Sequence, residues 1–565
     1  MKRPGVACDA QNILGLSVPP RVPPAKDSFL ANPKEVKTWL SRLPMTNLGA
    51  ISCQVYQKLI QFNQEEIPLL KRVKVTKLFR STVYEIDECL RKHYINTTLP
   101  LSEKSHKIAL FSRELQGEMA VSYQILIEQA LANPGKPDKK QLTNAIHRAI
   151  NHLSDDLCQA TLVYDPTPKC LWKEFHCLYA LAAKFQIEHI QVRDKIHKLT
   201  DNKTISDLYK RILLFSLAAP SHLRQRDIQR LYRVLLKWAP YTEISSPGTH
   251  EETENRFIIH LKSDNPPTHI VLEKHQIDSS CCTLCTHELL QHLKQLVQES
   301  LPQQRNPTYF QRDDDPFSPF LLHGLIRSWS VLTKREFVRS HLDIKLDICV
   351  GLTGIYTLLN PALEDETSSL DDKLHTLEAD APAYWTSQAR PSAPKTFSCT
   401  TLNQSAGGYC ITWPGPDAPK IRVGELLGIR PSTDTNIVNL AVIRWLKNAQ
   451  EEGLEAGIQM LSPSCIAVKA HLVEDHHNSN CLLLPAVEPA HQQSSLITPT
   501  PPFKLDSILS ITDGDAEQQI KLSSLVEATG AFVQYHYEEI KIEQPTTDKE
   551  TADKMVEFEV IWDIL

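Results

Sequence analysis

The stretch LNQSAGGYC, residues 402–410, places an asparagine, a serine and two adjacent glycines between apolar residues. Asparagine, serine and glycine tolerate positive φ angles or hydrogen-bond to their own backbone, so the stretch predicts a tight hairpin turn. Its amide and hydroxyl groups are also suited to hold a ligand. The stretch is therefore either a simple turn or one wall of a binding site, and the surrounding sequence distinguishes the two.

Several short strand patterns surround this hairpin. The segments predicted as strands are LDICVGLTGIYTLL, TFSCTTL, GYCITW, LLGIR, NLAVIRWLK and EAGIQML. Short strands this close together favour a small antiparallel β-barrel, which we place at residues 330–480 with an acidic insertion near 361–396. The side chains predicted to form the barrel core are Trp413, Ile429, Val442, Trp445, Ile458 and Met460.

The rest of the chain predicts a multidomain α + β protein. Residues 30–243 repeat apolar side chains at spacings of three and four, which is typical of an all-α region; Asn32 and Pro33 are the expected N-cap and first residue of its first helix. The remaining parts are an N-terminal tail, 1–29, a linker with a mixed α/β section, 244–329, and a C-terminal β extension with its tail, 481–565. Helical regions of this kind often bind protein partners.

Composition excludes several classes of protein. The chain has 565 residues, 41% hydrophobic, and its net charge of −6 argues against a DNA-binding protein. No apolar run approaches the ~20 residues of a membrane-spanning helix, and the N-terminus resembles no secretion signal, so we expect a cytoplasmic protein. The 14 cysteines are scattered, and we expect Cys89, Cys177 and Cys349 to behave as small apolar residues and not as parts of a disulfide scaffold.

A basic segment precedes the predicted barrel. TKREFVRSHL places Arg335 and Arg339 four residues apart, with Lys334 beside them. Taken alone, this spacing is common on solvated surfaces. Two arginines in a lead-in segment are also able to fold around one anionic ligand, because each guanidinium binds phosphate or a purine edge through two parallel hydrogen bonds.

The order of these motifs resembles the PilZ family of cyclic-di-GMP receptors. An Arg-x-x-x-Arg segment is followed by Asn403-x-Ser405-x-x-Gly408, then by a strand with a tryptophan and a strand with Gly-x-x-Met. The resemblance implies that Arg335 and Arg339, with Lys334, close over cyclic-di-GMP while Asn403 and Ser405 bind it from the barrel. It also implies that Gly408, with Gly407 as a second candidate, provides clearance for the ligand.

The resemblance also implies a function. Such receptors are not enzymes and need no cofactor; they convert second-messenger occupancy into a protein–protein interaction that controls motility, type IV pili or surface attachment. The partner is expected on the helical region, with recruitment to the cell pole or to inner-membrane machinery. The alternative within the same family is a PilZ-like adaptor that no longer binds nucleotide and acts as a scaffold.

A metalloprotein is the alternative from another class. Cys282 and Cys285 lie close to His287 and His292, a combination that resembles half of a zinc site. No matching pair with suitable spacing follows, so a cluster of buried thiols at the start of a helix is the favoured interpretation. No metal is expected, and no nucleophile elbow, phosphate loop or dinucleotide fingerprint supports an enzyme.

Overall fold

The structure is a computed structural model, and the residues it describes fall in a helical unit, a small sheet and two barrels. The described residues are 15–44, 47–133, 135, 137–246, 255–272, 280–300, 317–330, 339–341, 343–360, 395–405, 407–413, 419–431, 438–449, 453–486, 493–500, 503–513 and 516–540. Within these residues, no helix is long and apolar enough to cross a membrane.

The N-terminal half is all helical, as predicted. Its helices are α1 Pro33–Ser41, α2 Leu48–Gln64, α3 Leu69–Arg91, α4 Glu103–Ala132, α5 Lys139–Leu162, α6 Leu171–Phe185, α7 Ile205–Leu217 and α8 Gln225–Trp238. The predicted start of α1 is confirmed, because the Asn32 side chain accepts a hydrogen bond from the Lys34 amide and Pro33 is the first helical residue. The long helices α4 and α5 pack along each other at the centre of the unit.

A buried ion pair fixes the long connection between α6 and α7. The Arg80 guanidinium on α3 donates two hydrogen bonds to Asp194, at 2.8 and 2.5 Å. Burial alone would raise the pKa of Asp194, but the hydrogen bonds and the charge of Arg80 hold it below its usual value. The ion pair therefore attaches this connection, which has little regular structure of its own, to the helical core.

A small antiparallel sheet follows the helices. Its strands are β1 Glu243–Ser245, β2 Arg256–His260, β3 Thr268–His269 and β4 Cys281–Cys285, in the order β1-β4-β2-β3, and two helices come next, α9 His287–Ser300 and α10 Pro319–Ser330. The Asp264 carboxylate accepts hydrogen bonds from the backbone amides of Cys170 and Lys173 at the start of α6, at 2.6 and 3.1 Å. This contact joins the sheet to the helical unit.

The predicted barrel is present, and the fold class is confirmed. Its elements are β5 Ser340–His341, β6 Lys345–Val350, α11 Leu352–Leu359, β7 Thr396–Ser405, β8 Gly408–Trp413, β9 Leu426–Pro431, β10 Asn439–Asn448 and β11 Leu454–Ser462. The strand order is β5-β7-β6-β9-β10-β11-β8, and β8 also pairs with β7, which closes the sheet. All of these pairings are antiparallel.

The prediction that LDICVGLTGIYTLL forms one strand is wrong. The strand β6 ends at Val350 and the helix α11 begins at Leu352. Gly351, between them, has φ +82, a conformation that glycine adopts without the steric cost paid by other residues. The turn at Gly351 sends the apolar segment back as a helix, whose residue Ile355 is fully buried beside the barrel.

The C-terminal part forms a second closed barrel. Its strands are β12 Ile466–Leu472, β13 Asp475–Leu484, β14 Ser495–Thr498, β15 Ile508–Asp513, β16 Ala516–Ala528 and β17 Val533–Glu539, in the closed order β12-β13-β14-β17-β16-β15. The expected boundary at residue 480 therefore lies too far along the chain, because β12 and β13 pair with strands of the second barrel.

Burial corrects three further expectations. Trp413, Ile429 and Ile458 are buried in the first barrel as predicted, and the half-buried Met460 packs against the same core. Val442 is buried in a different cluster, which the first barrel forms with α11 and the second barrel, and Trp445 is only half-buried. Of the cysteines expected on apolar faces, Cys349 is buried and Cys177 half-buried, whereas Cys89 is exposed.

Arg224 of α8's N-cap lies where the helical unit and both barrels meet. Its Nε donates a hydrogen bond to the Val423 carbonyl of the first barrel at 3.1 Å. Two glycines with positive φ, Gly424 of the first barrel and Gly530 of the second, leave room for its guanidinium. Desolvation at this junction lowers the pKa of Arg224, and Asp227 opposes the shift.

Replacing Gly530 with alanine is expected to destabilise this junction by about 1–3 kcal/mol, because a new methyl group would overlap the Arg224 guanidinium. Thermal unfolding of the full chain measures the effect. Gly135→Ala is the matched control, since Gly135 has a positive φ of +128 but no atom within 4 Å of the new Cβ. Equal losses in the two variants would show that the contact with Arg224 contributes nothing.

Candidate ligand-binding face

The strand pairing brings the two predicted halves of the site together. In the antiparallel register of β5 and β7, Ser340 lies opposite Gln404 and His341 opposite Asn403. Continuing this register by one residue sets Arg339 across from Ser405. Directly opposed residues of an antiparallel pair project to the same side of the sheet, so Arg339, His341, Asn403 and Ser405 share one face.

The hairpin between β7 and β8 forms one end of this face. Ser405 pairs with Gly408, and the Ser405 hydroxyl donates a 3.4 Å hydrogen bond to the Gly408 carbonyl. The Gly407 carbonyl accepts a hydrogen bond from the Met460 amide of β11 at 3.1 Å. The predicted tight turn is therefore present, and its backbone is attached to β11 as well as to β7.

Gly408 has a structural role that does not depend on a ligand. Its φ is +151, and a Cβ at this position would overlap the Ile458 carbonyl oxygen of β11. The missing side chain therefore makes room for the neighbouring strand. This close backbone packing holds the hairpin in place.

A row of opposed residues continues the face across the sheet. Asn403 lies opposite Cys410 of β8, Cys410 opposite Gly457 of β11, and Gly457 opposite Trp445 of β10. A Cβ on Gly457 would overlap the indole of Trp445, so the indole covers that glycine. Adjacent strands are about 4.8 Å apart, which puts this aromatic surface two strands from Asn403.

The charge of Arg339 acts on the neighbouring thiol of Cys410. Burial raises the pKa of the Cys410 thiol, Glu455 raises it further, and the positive charges of Arg339 and Lys447 oppose the shift. Arg339 is itself exposed. Arg339 therefore influences Cys410 while its own side chain stays exposed to solvent.

Of the seven residues predicted for the site, the structure describes five. Arg339, Asn403, Ser405, Gly407 and Gly408 lie together at the β5, β7 and β8 ends. Lys334 and Arg335 lie outside the described residues.

Two residues on the same face were not predicted for the site. His341 could have been recognised because it follows Arg339 by two residues, the spacing of neighbours on one strand face. Trp445 had no such signal, because it reaches the outer face through a bulge in β10 between Ile443 and Trp445.

The predicted half of a zinc site lies elsewhere. Cys282 and Cys285 belong to the strand β4 and not to a helix start, and both are half-buried. Among the residues described, no group of three or more His, Cys, Asp or Glu side chains has the geometry to hold a metal ion.

Comparison with known proteins identifies the family. Three family models match successive parts of the chain: "Cyclic-di-GMP receptor FimW, N-terminal domain" at residues 34–250, "Cyclic-di-GMP receptor FimW, middle PilZ domain" at 256–364 and 361–466, and "FimW C-terminal beta-barrel domain" at 467–540. The chain belongs to the PilZ-type cyclic-di-GMP receptor family. The resemblance seen in the motifs is thus confirmed, and the match to the PilZ model ends where the second barrel begins.

A relative is similar along nearly the whole chain. The cyclic-di-GMP receptor FimW of Pseudomonas aeruginosa is 26% identical over 569 residues, which cover 92% of each protein. The similarity to this PilZ-type receptor therefore extends through the helical unit and both barrels.

Proposed function

We propose that this chain is a receptor that binds cyclic-di-GMP on the outer face of its first barrel. The observation that carries the proposal is the register of β5 and β7, which aligns Arg339 and His341 with Ser405 and Asn403. The two halves of the PilZ motif are far apart in sequence, so their alignment on one sheet face is not a consequence of chain proximity. Family membership supports the same ligand.

The ligand's chemistry fits the groups on this face. A cyclic dinucleotide presents phosphate oxygens and the O6 and N7 acceptors of guanine, and the Arg339 guanidinium is able to bind either through two hydrogen bonds. The amide of Asn403 and the hydroxyl of Ser405 supply shorter, uncharged partners. The exposed surface of Trp445 suits stacking of a purine base. The family motif implies that Arg335 and Lys334 also bind the ligand.

The output we propose is a protein interaction and not a reaction. Ligand occupancy would alter how the barrel engages the helical unit, which then binds or releases a protein partner controlling motility, type IV pili or surface attachment. The helical unit already contacts the barrel: Asn448 of β10 donates a 2.8 Å hydrogen bond to Asp165, and the Leu99 amide donates a 3.1 Å hydrogen bond to the Ile421 carbonyl. We place this receptor in the cytoplasm, where the proposed ligand acts.

Equilibrium dialysis with cyclic-di-GMP, cyclic-di-AMP and GTP tests the proposed ligand. We expect cyclic-di-GMP to bind most tightly. Asn403→Ala and Ser405→Ala should each weaken its binding by about 5- to 10-fold, the usual effect of losing one hydrogen bond. Equal affinity for all three nucleotides, or unchanged binding by both variants, would contradict the proposed site. Absence of any nucleotide binding would favour an adaptor that has lost its ligand.

A further inference from the structure

Arg444 stands at the far side of the ligand-binding face. It is the extra residue of the bulge in β10, between Ile443 and Trp445. Ile443 and Leu446 are fully buried, whereas Arg444 and Trp445 are both half-buried. The bulge therefore turns two consecutive side chains toward the outer face, where strand alternation would have sent one of them inward.

The contacts of Arg444 connect the face to the second barrel. Its Nε donates a 2.6 Å hydrogen bond to the Gln459 side chain, and Gln459 lies opposite Gly408 of the hairpin. Its Nη1 and Nη2 both donate to the carboxylate of Glu527 on β16, with Nη2 and Oε2 2.9 Å apart. One guanidinium thus contacts a residue beside the hairpin and a residue of the C-terminal barrel.

We propose that Arg444 is a further cyclic-di-GMP-binding residue, and that the ligand competes with Glu527 for its guanidinium. A carboxylate and a phosphate present the same pair of acceptor oxygens to an arginine, so the same donors serve either partner. Arg444 is about a third exposed and lies three strands from Ser405, because β11 and β8 stand between β10 and β7. Its side chain already reaches β11 at Gln459, and the remaining two strand spacings, about 10 Å, are a distance that a cyclic dinucleotide spans. This inference rests on the proposed function.

Loss of the contact between Arg444 and Glu527 would affect the junction with the helical unit. Glu527 is next to the end of β16, and the turn that follows carries Thr529 and Gly530. Gly530 packs against Arg224, and β10 contacts the short 3-10 helix Pro220–His222 just before Arg224. Ligand occupancy on the first barrel would thereby weaken its attachment to the second barrel at the place where all three units meet.

The affinity of cyclic-di-GMP for the full-length chain and three variants tests the competition. Because coupling between two partners of one group is reciprocal, Glu527→Gln, which keeps the shape and removes the charge, should bind the ligand about 5- to 10-fold more tightly than the wild type. Arg444→Ala should bind about 10-fold more weakly, since it loses a charged donor. The affinity of the double variant should equal that of Arg444→Ala, because without Arg444 the charge of Glu527 no longer competes with the ligand.

A second ion pair on the same sheet provides the matched control. Lys447 Nζ lies 3.2 Å from Glu455 Oε2, so Glu455→Gln removes an acidic charge nearby without touching Arg444. Its affinity should stay within about twofold of the wild type, as expected for a partly exposed pair. If Glu455→Gln tightens binding as much as Glu527→Gln, the effect is general electrostatics and the competition is overturned.

Hydrogen exchange of the backbone amides in β16 gives an independent readout. Cyclic-di-GMP should accelerate exchange in Ala516–Ala528 of the wild type and leave it unchanged in Arg444→Ala. Wild-type binding with unchanged affinity in Glu527→Gln would overturn this inference and leave the proposed function intact. Absence of binding by the wild type would overturn both.

Discussion

Replacing Arg339 with alanine is expected to weaken cyclic-di-GMP binding by about 100-fold, or about 2.7 kcal/mol. The register of β5 and β7 sets this exposed arginine across from Ser405, where its guanidinium is able to bind phosphate or guanine through two charged hydrogen bonds. Isothermal titration calorimetry measures the change. The affinity of Arg339→Lys should lie between those of the wild type and Arg339→Ala, because lysine keeps the charge but loses the paired donors.

The control for this variant is an arginine of similar exposure far from the face. Arg193, in the connection between α6 and α7, is exposed, and Arg193→Ala removes the same charge from the helical unit. Its affinity should match that of the wild type. An Arg339→Ala protein that binds within threefold of the wild type would place the ligand somewhere other than the face described above.

Replacing Gly408 with alanine is expected to destabilise the first barrel by about 3 kcal/mol or more. Two costs add: alanine is strained at a φ of +151, and its methyl group would overlap a backbone atom of β11 that has no freedom to rotate away. The thermal midpoint of the full chain should fall, with loss of ligand binding. Gly324→Ala, in the helix α10 with no atom within 4 Å of the new Cβ, should be as stable as the wild type or slightly more so.

A Gly408→Ala protein with wild-type stability and weakened binding would contradict this expectation. In that case the absent side chain at Gly408 would serve the ligand, as the family motif alone implies, and the packing against Ile458 would be incidental.

Local patterns predicted much of the fold. Asn32 and Pro33 marked the start of α1 because caps and helix starts depend on neighbouring residues, and LNQSAGGYC marked the hairpin for the same reason. The paired motifs were also recognisable in the sequence, since each is a short pattern. The alignment of Arg339 with Ser405 requires pairing across more than 60 residues, which periodicity alone does not reveal.

The features that the sequence analysis missed depend on long-range pairing or on one backbone irregularity. β12 pairs with both β13 and β15, and only barrel closure assigns it to the second barrel. The bulge before Trp445 reverses the inward and outward pattern of β10, so a tryptophan predicted for the core lies on the outer face. Gly351 ends a strand in an apolar run that looks continuous.

Calorimetric titration of cyclic-di-GMP into the wild-type chain tests the central claim most directly. We predict saturable binding with a dissociation constant of about 1 μM or lower, which corresponds to a binding free energy of about −8 kcal/mol. We also predict that the ligand protects the chain against thermal unfolding. No heat of binding and no shift in the thermal midpoint at a ligand concentration of about 1 mM would contradict the receptor function, even though the chain has the fold of the family.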